Sequence, residues 1–512
     1  MAILYELLET HRTSALVLLG VSVFFFARQA TKSKAGPPFA GTWSSDFLSV
    51  YIYGCFKFVK YARSMLDDGY SKFPDTPFRV PAPTSTKIII PPKFVKELRN
   101  YPDSKLSFNA AIYDILGLKR VELQSLGEDN TPHQKMTRSQ LTANLAKLIA
   151  PMLDESKYAF QVEIGSAKEW KAVPLHSTIV HIIARTSSRV TVGEEICRNE
   201  DWLRASTGFS KDIFDNAFCM FLFPSFMRPL AVFLLPFRRR IRCQRMESRK
   251  ILGPTYTQRL ADTEAGKPRV EDVFGWMVAN ALPKQRNIND LVDYHLALSL
   301  GAIQVPASTL VSIIYDLAAR PEYIEPIREE IIQAVTEDGG QINMSTLAKL
   351  MKMDSFMKES QRFNAVLTSF SRKALQSFHL SDGTHIPAGS ILGASAVSVH
   401  FDPKYYENPD EFDGFRFYKM RQQKDAINKH LFVSVSPTEI NFGYGAHACP
   451  GRFFVANKIK VLLVRMLMKY DFKYPEGESR PRNIMLGDAT LTNTTRNLMM
   501  KERVDAPKWD FL

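Results

Sequence analysis

One stretch near the end of the chain restricts the fold more than any other: Asn441-Phe-Gly-Tyr-Gly-Ala-His-Ala-Cys-Pro-Gly-Arg452. It sets Cys449 after two closely spaced glycines and directly before Pro450 and Gly451. The residues that follow, 453–467, carry apolar side chains three and four apart and predict a helix. Cys449 therefore sits in a loop that feeds a helix N-terminus. Pro450 suits that first turn, where its missing N–H costs little. The positive end of the helix dipole and free backbone N–H groups favour a thiolate there. Gly443 and Gly445 let the loop turn tightly and bring its backbone close to a flat neighbour.

A lone cysteine is ordinarily a small buried core residue. A zinc reading of His447-x-Cys449 lacks a second ligand pair. The full spacing Phe442-x-x-Gly445-x-x-x-Cys449-x-Gly451 goes further, because it resembles the haem-binding loop of the cytochrome P450 superfamily. That resemblance implies haem b with Cys449 as the axial iron ligand and Phe442 and Gly451 beside the cofactor.

Other motifs follow in the matching order. Glu359-Ser-Gln-Arg362 puts two opposite charges on one helical face, and by itself would be an ordinary surface ion pair. It resembles the family's Glu-x-x-Arg helix, which implies a buried pair. Asn408-Pro-Asp-Glu-Phe-Asp-Gly-Phe-Arg-Phe417 then supplies Arg416 as the third partner. A carboxylate shared by two arginines satisfies several donors, so its burial becomes tolerable. The implied role of Glu359, Arg362 and Arg416 is to scaffold the Cys449 loop. For the haem propionates the resemblance implies Arg372, His447 and Arg138, with His133 standing in for a missing tryptophan whose place is taken by Gln134. Wording such as Tyr315-Asp-Leu-Ala-Ala-Arg-Pro-Glu322 is similar to fungal microsomal enzymes of secondary metabolism, the ent-kaurene-oxidase-like group. The implied fold is mainly α with small β-sheets, the cytochrome P450 fold. An N-terminal membrane anchor and its flanks (1–34) precede a haem-thiolate catalytic domain (35–512).

The pattern breaks in the helix expected over the distal haem face, about 289–318. Relatives carry an acid and an alcohol there that pass protons to dioxygen. This chain reads Gly301-Ala-Ile-Gln-Val-Pro-Ala-Ser-Thr309. The small Gly301 and Ala302 remain, while Gln304 replaces the acid and Val305 the alcohol. Pro306 cannot donate to the Ala302 carbonyl, which frees an acceptor. A water bridging that carbonyl and Gln304, with Ser308 or Thr309 in reserve, would keep ordinary oxygen activation. The other reading is atypical chemistry: oxidative coupling, desaturation or rearrangement.

At 512 residues and 45% apolar content the chain can bury a large core. Five widely spaced cysteines form no disulfide framework and fit a reducing compartment. The run Ser14-Ala-Leu-Val-Leu-Leu-Gly-Val-Ser-Val-Phe-Phe-Phe-Ala27 is shorter than the roughly 20 residues that comfortably span a bilayer. A cleaved signal peptide and a retained anchor are both open. Arg28, Lys32 and Lys34 behind the run favour an anchor that leaves the body in the cytosol, at the endoplasmic reticulum membrane. The apolar segment 214–237, ending in Arg238-Arg-Arg-Ile-Arg242, is either a core helix pair or a flap dipping into the membrane surface. A net charge of +13 is dispersed and accompanied by no nucleic-acid motif, so an anionic membrane face and an acidic electron donor are the expected partners.

The resemblance thus implies a monooxygenase using O2 and NADPH electrons delivered by NADPH-cytochrome P450 reductase. The expected substrate is a small apolar metabolite of terpenoid or indole-alkaloid type. Phe108, Ile112, Phe218, Leu298, Ala302, Val305 and Leu367 are the expected pocket lining.

Overall fold

The structure, a computed structural model, describes residues 36–40, 54–82, 86–129, 131–221, 223 and 227–512. The apolar run at 14–27 lies outside them. Among the described residues helices dominate and the strands gather into small sheets, as the mainly α reading expects.

Four of the helices that contribute to the largest core pack on one another. Leu145–Glu163 packs on Leu175–Thr191, which packs on Gln304–Ala319. Arg452–Lys469 lies against both Leu145–Glu163 and Gln304–Ala319. From Lys458 to Met468 every residue of that last helix is buried, so it is a core element with no solvent face. Three cations inside this stretch need partners. Arg465 donates to the Leu153, Phe511 and Leu512 carbonyls and to Ser156. Lys460 pairs with Asp354 at 2.9 Å. Lys458 has a different arrangement, described below.

A five-stranded sheet forms the second layer. Phe78–Pro81 and Thr86–Ile89 pair antiparallel. Thr86–Ile89 continues parallel to Ile391–Ser395, which pairs antiparallel with Thr368–Ala374, and Leu106–Ser107 closes the edge. In Thr368–Ala374 the buried positions are 368, 370, 372 and 374, so the two-residue period turns Arg372 inward. The ladder is irregular between Ser369 and Arg372, and Phe370 holds a left-handed backbone at φ 58°. Such a bulge re-aims a side chain.

The helix predicted over 289–318 is in fact two. Ile288–Ala302 and Gln304–Ala319 are divided at Ile303, with φ −109° and ψ −71°. Pro306 is the cause, since it has no N–H to offer the carbonyl four residues back. The segment after Glu200–Phe221 is no core pair: Arg228–Leu234 is a short helix with Leu230, Phe233 and Leu234 exposed by 60%, 72% and 75%.

Candidate active site

The cysteine loop is shaped by backbone. Gly443 and Gly445 both have positive φ, 70° and 74°. A Cβ on Gly445 would stand 2.2 Å from the Arg99 carbonyl oxygen, so only glycine fits. That same carbonyl accepts from the Ala446 N–H at 3.1 Å, pinning the loop to the end of helix Pro92–Leu98. The Cys449 N–H donates to the Phe442 carbonyl at 2.7 Å. Burial pushes the Cys449 thiol up, while N–H groups of Gly451 and Arg452 and the Arg452 charge oppose that shift. These are the orphan donors of a helix N-terminus aimed at sulfur.

Behind the loop lies a closed ion cluster. Glu359 is fully buried, and its Oε1 accepts from Arg362 (2.8 Å), Arg416 (3.2 Å) and the Asp413 N–H (3.1 Å). Its Oε2 accepts from Arg362 Nε at 2.9 Å. The remaining guanidinium hydrogens reach backbone: Arg362 to the His400 and Pro409 carbonyls, Arg416 to those of Glu407, Asn408 and Glu411. With nearly every donor used, the cost of desolvating three charges is offset. The cluster clamps 400–416 onto helix Met351–Phe363.

A second group of cations gathers at the end of the loop. Arg372 is buried, lies over the rings of Phe108 (5.2 Å) and Phe370 (4.4 Å), and keeps Nη2 without a partner. Burial lowers its pKa to about 10, with Asp103 the one opposing charge. His447 stacks on Phe108 at 5.4 Å and meets Asp103 at 2.5 Å. Arg372 and His447 share the Phe108 ring, while Arg138 is an exposed side chain whose charge, like that of Arg372, lowers the His447 pKa. His133 does not join them. It stacks on Tyr294 at 5.6 Å, and burial drops its pKa to about 4, so it is neutral. Gln134 is likewise engaged elsewhere, donating to Asn109. Sequence reasoning missed Asp103, whose only signal was a lone acid between helix Pro92–Leu98 and strand Leu106–Ser107.

On the distal side Gly301 and Val305 are one turn apart. A Cβ at Gly301 would meet nothing within 4 Å, and Val305 is 57% exposed although the helix around it is core. Gln304, Val305, Ser308 and Thr309 line a cavity of about 610 Å³, faced by Phe214 and Phe218 and by Val366 and Leu491. Its walls are more polar than the Phe and Leu lining expected, with His176, His181, Lys211 and Gln361 among them. Leu367 is wholly buried in a core cluster with Phe58 and Val80, and the neighbouring Val366 takes its place. Phe108 belongs to the Arg372–His447 group. Ile112, Leu298 and Ala302 do not line this cavity. The expected water bridge to the Ala302 carbonyl is also displaced, because that oxygen accepts from Lys458 Nζ (2.8 Å) and Ser187 Oγ (3.1 Å). Thr309 is not in reserve: its hydroxyl donates to the Val305 carbonyl at 3.0 Å.

A flat apolar group carrying carboxylates and an iron suits these residues. The thiol with converging N–H donors, the unpartnered buried Arg372 Nη2 and the unpacked Gly301–Val305 face are complementary to different parts of haem. Comparison with known proteins agrees. Over 446 residues the chain is 36% identical to the cytochrome P450 monooxygenase BOA4 of Botryotinia fuckeliana, covering 86% of this chain and 89% of that one. It is 34% identical over 454 residues to an ent-kaurene oxidase of Gibberella intermedia, covering 87% and 85%. The retinoic acid-bound cyanobacterial CYP120A1 superposes with a TM-score of 0.66 at 16% identity, over 92% of this chain and 99% of that one. The cytochrome P450 family model matches residues 50–501, and the chain belongs to the cytochrome P450 family of oxidoreductases.

Proposed function

We propose that the protein is a haem-thiolate monooxygenase acting on a small, mainly apolar secondary metabolite of terpenoid or indole-alkaloid type. The observation that carries this is the Cys449 sulfur at a helix N-terminus, set in a rigid loop and served by two N–H donors. Haem b, when bound, supplies dioxygen activation with electron donation from the thiolate. Cys449 holds the iron, and Phe442 and Gly451 flank the sulfur loop. Arg372, His447 and Arg138 hold the propionates, while Glu359, Arg362 and Arg416 keep the loop in register. Gly301 and Ala302 allow close approach from the distal side, and Gln304 and Ser308 hold or move protons there. Phe218, Val305 and Val366 orient the substrate and exclude water, with the polar walls placed for a hydroxyl or carboxyl on an otherwise apolar body.

Electrons come from NADPH through NADPH-cytochrome P450 reductase. Residues 1–34 anchor the body (35–512) to the cytosolic face of the endoplasmic reticulum. The exposed Leu230, Phe233 and Leu234, beside exposed Arg239 and Arg242, support a membrane-facing flap. The names of the relatives, ent-kaurene oxidase among them, favour a terpenoid. Membranes holding this protein and reductase, fed extract from a knockout of the producer under heavy-isotope dioxygen, test the reading by mass spectrometry. One heavy oxygen in the product supports it, and an unlabelled isomer rejects it. The second reading, oxidative coupling, desaturation or rearrangement, is favoured by the engaged Thr309 hydroxyl beside Val305. Loss of hydrogens without label is its signature.

A further inference from the structure

Lys458 is completely buried in the helix that begins just after Cys449. Its neighbours are unusual for a cation. Nζ donates to Ser187 Oγ at 2.7 Å and to the Ala302 carbonyl at 2.8 Å, and sits 5.0 Å from the centre of the Phe454 ring. No carboxylate pairs with it among the described residues, and burial alone lowers its pKa to about 7. Placing an amine there costs several kcal/mol of desolvation in principle, so the site must offer something specific. Ala302 ends the first distal helix, where carbonyls lack intrahelical partners and the dipole is negative. Pro306 removes the N–H that would otherwise continue the ladder to this oxygen. The Ala302 carbonyl is thus an acceptor created by Pro306 and satisfied by Lys458 and Ser187.

We propose that Lys458 is a positioning residue for the distal face: with Ser187 it replaces the hydrogen bond Pro306 cannot make and fixes the break at Ile303. Gln304 and Val305 follow that break directly, so its geometry sets how they are presented to the cavity. The role rests on the family reading only in what the cavity is for; the bond itself is a property of this chain. The test is hydrogen exchange of the full-length haem enzyme, read at the amides of 303–305 and 307–309, for Lys458→Met, Pro306→Ala and the double variant. Methionine keeps the length and apolar stem, so packing alone predicts no change. The proposal predicts exchange about ten-fold faster in Lys458→Met and a return to within about two-fold of wild type in the double variant, because alanine in place of Pro306 restores an N–H for the Ala302 carbonyl. The share of NADPH electrons recovered in product should fall and recover in parallel. Unchanged exchange in Lys458→Met, or a double variant as fast as the single, overturns the proposal. If Lys458→Met does not fold, Ser187→Ala alone and with Pro306→Ala gives the same two readings. Rapid exchange without rescue there rejects it equally. A failure of the isotope experiment would leave these exchange results standing, so the two readings fail separately.

Discussion

The two faces of the site are held by opposite means. On the cysteine side, Glu359, Arg362 and Arg416 form a buried charge cluster in which nearly every donor has a named acceptor, and the loop glycines allow one path for the chain. On the distal side the helix is interrupted, its Val305 side chain is exposed, and one carbonyl is held by the buried Lys458 together with Ser187. The first region tolerates almost no change and the second admits several solutions. A ligand atom must sit in one place, whereas proton delivery can be routed through more than one group.

The contrast can be broken most sharply at its rigid end. Cys449→Ser should abolish turnover and the thiolate-type optical band of the reduced carbon monoxide complex. Survival of that band would mean another residue binds iron. Next in size is Glu359→Gln, which leaves two buried guanidinium groups without a counter-charge. Breaking such a cluster costs roughly 3–5 kcal/mol, expected as a large drop in the urea midpoint and loss of haem on purification. A loss below about 1 kcal/mol would reduce the cluster to an ordinary surface pair.

Acid should weaken the fold through groups kept neutral by burial. His400 and His295 are buried with pKa values lowered to about 3, chiefly by desolvation. The unfolded chain takes up these protons near pH 6.5 and the native one only near 3, so stability falls as pH drops through that window. Each ring contributes at most about 1.4 kcal/mol per pH unit. Urea midpoints at about pH 7 and about pH 5 measure the slope, and His400→Asn should flatten it. A slope unaltered by that change would place the titration elsewhere. The smallest expected effect is on the permissive side. Val305→Thr should raise the share of NADPH electrons recovered in product by about two-fold, with stability unchanged. No change would remove position 305 from the proton path.

Much of this was legible in the sequence, for stated reasons. The cysteine loop and the Glu359–Arg362 spacing are local patterns, and Glu359, Arg362 and Arg416 came together as the resemblance implied. Arg372 follows from strand alternation once its register is known. His133 did not follow, because helix Pro132–Met136 runs straight into a π-helical turn at Thr137–Leu141, which changes how residues on either side face, and the His133 ring stacks on Tyr294. The pocket lining was misjudged at Leu367 for a related reason: at a strand entrance a one-residue shift exchanges core for cavity. Lys458 carried a signal that could have been read. It lies four residues after Phe454 and four before Leu462, both buried, so a cation was visible on the apolar face of a predicted helix.

That helix has a consequence for anyone redesigning the enzyme. Cys449 stands just before it and Lys458 lies within it, so the sulfur loop and the break at Ile303 are attached to one rod. The six helical steps from Arg452 to Lys458, at about 1.5 Å each, fix about 9 Å of their separation. A change that shifts the rod moves both attachments together, and its effect on ligand binding cannot be separated from its effect on the reaction. Tuning selectivity is therefore better done from the walls that hang on other elements, Phe218 and Val366 first, where a new side chain can alter what enters without changing the gauge.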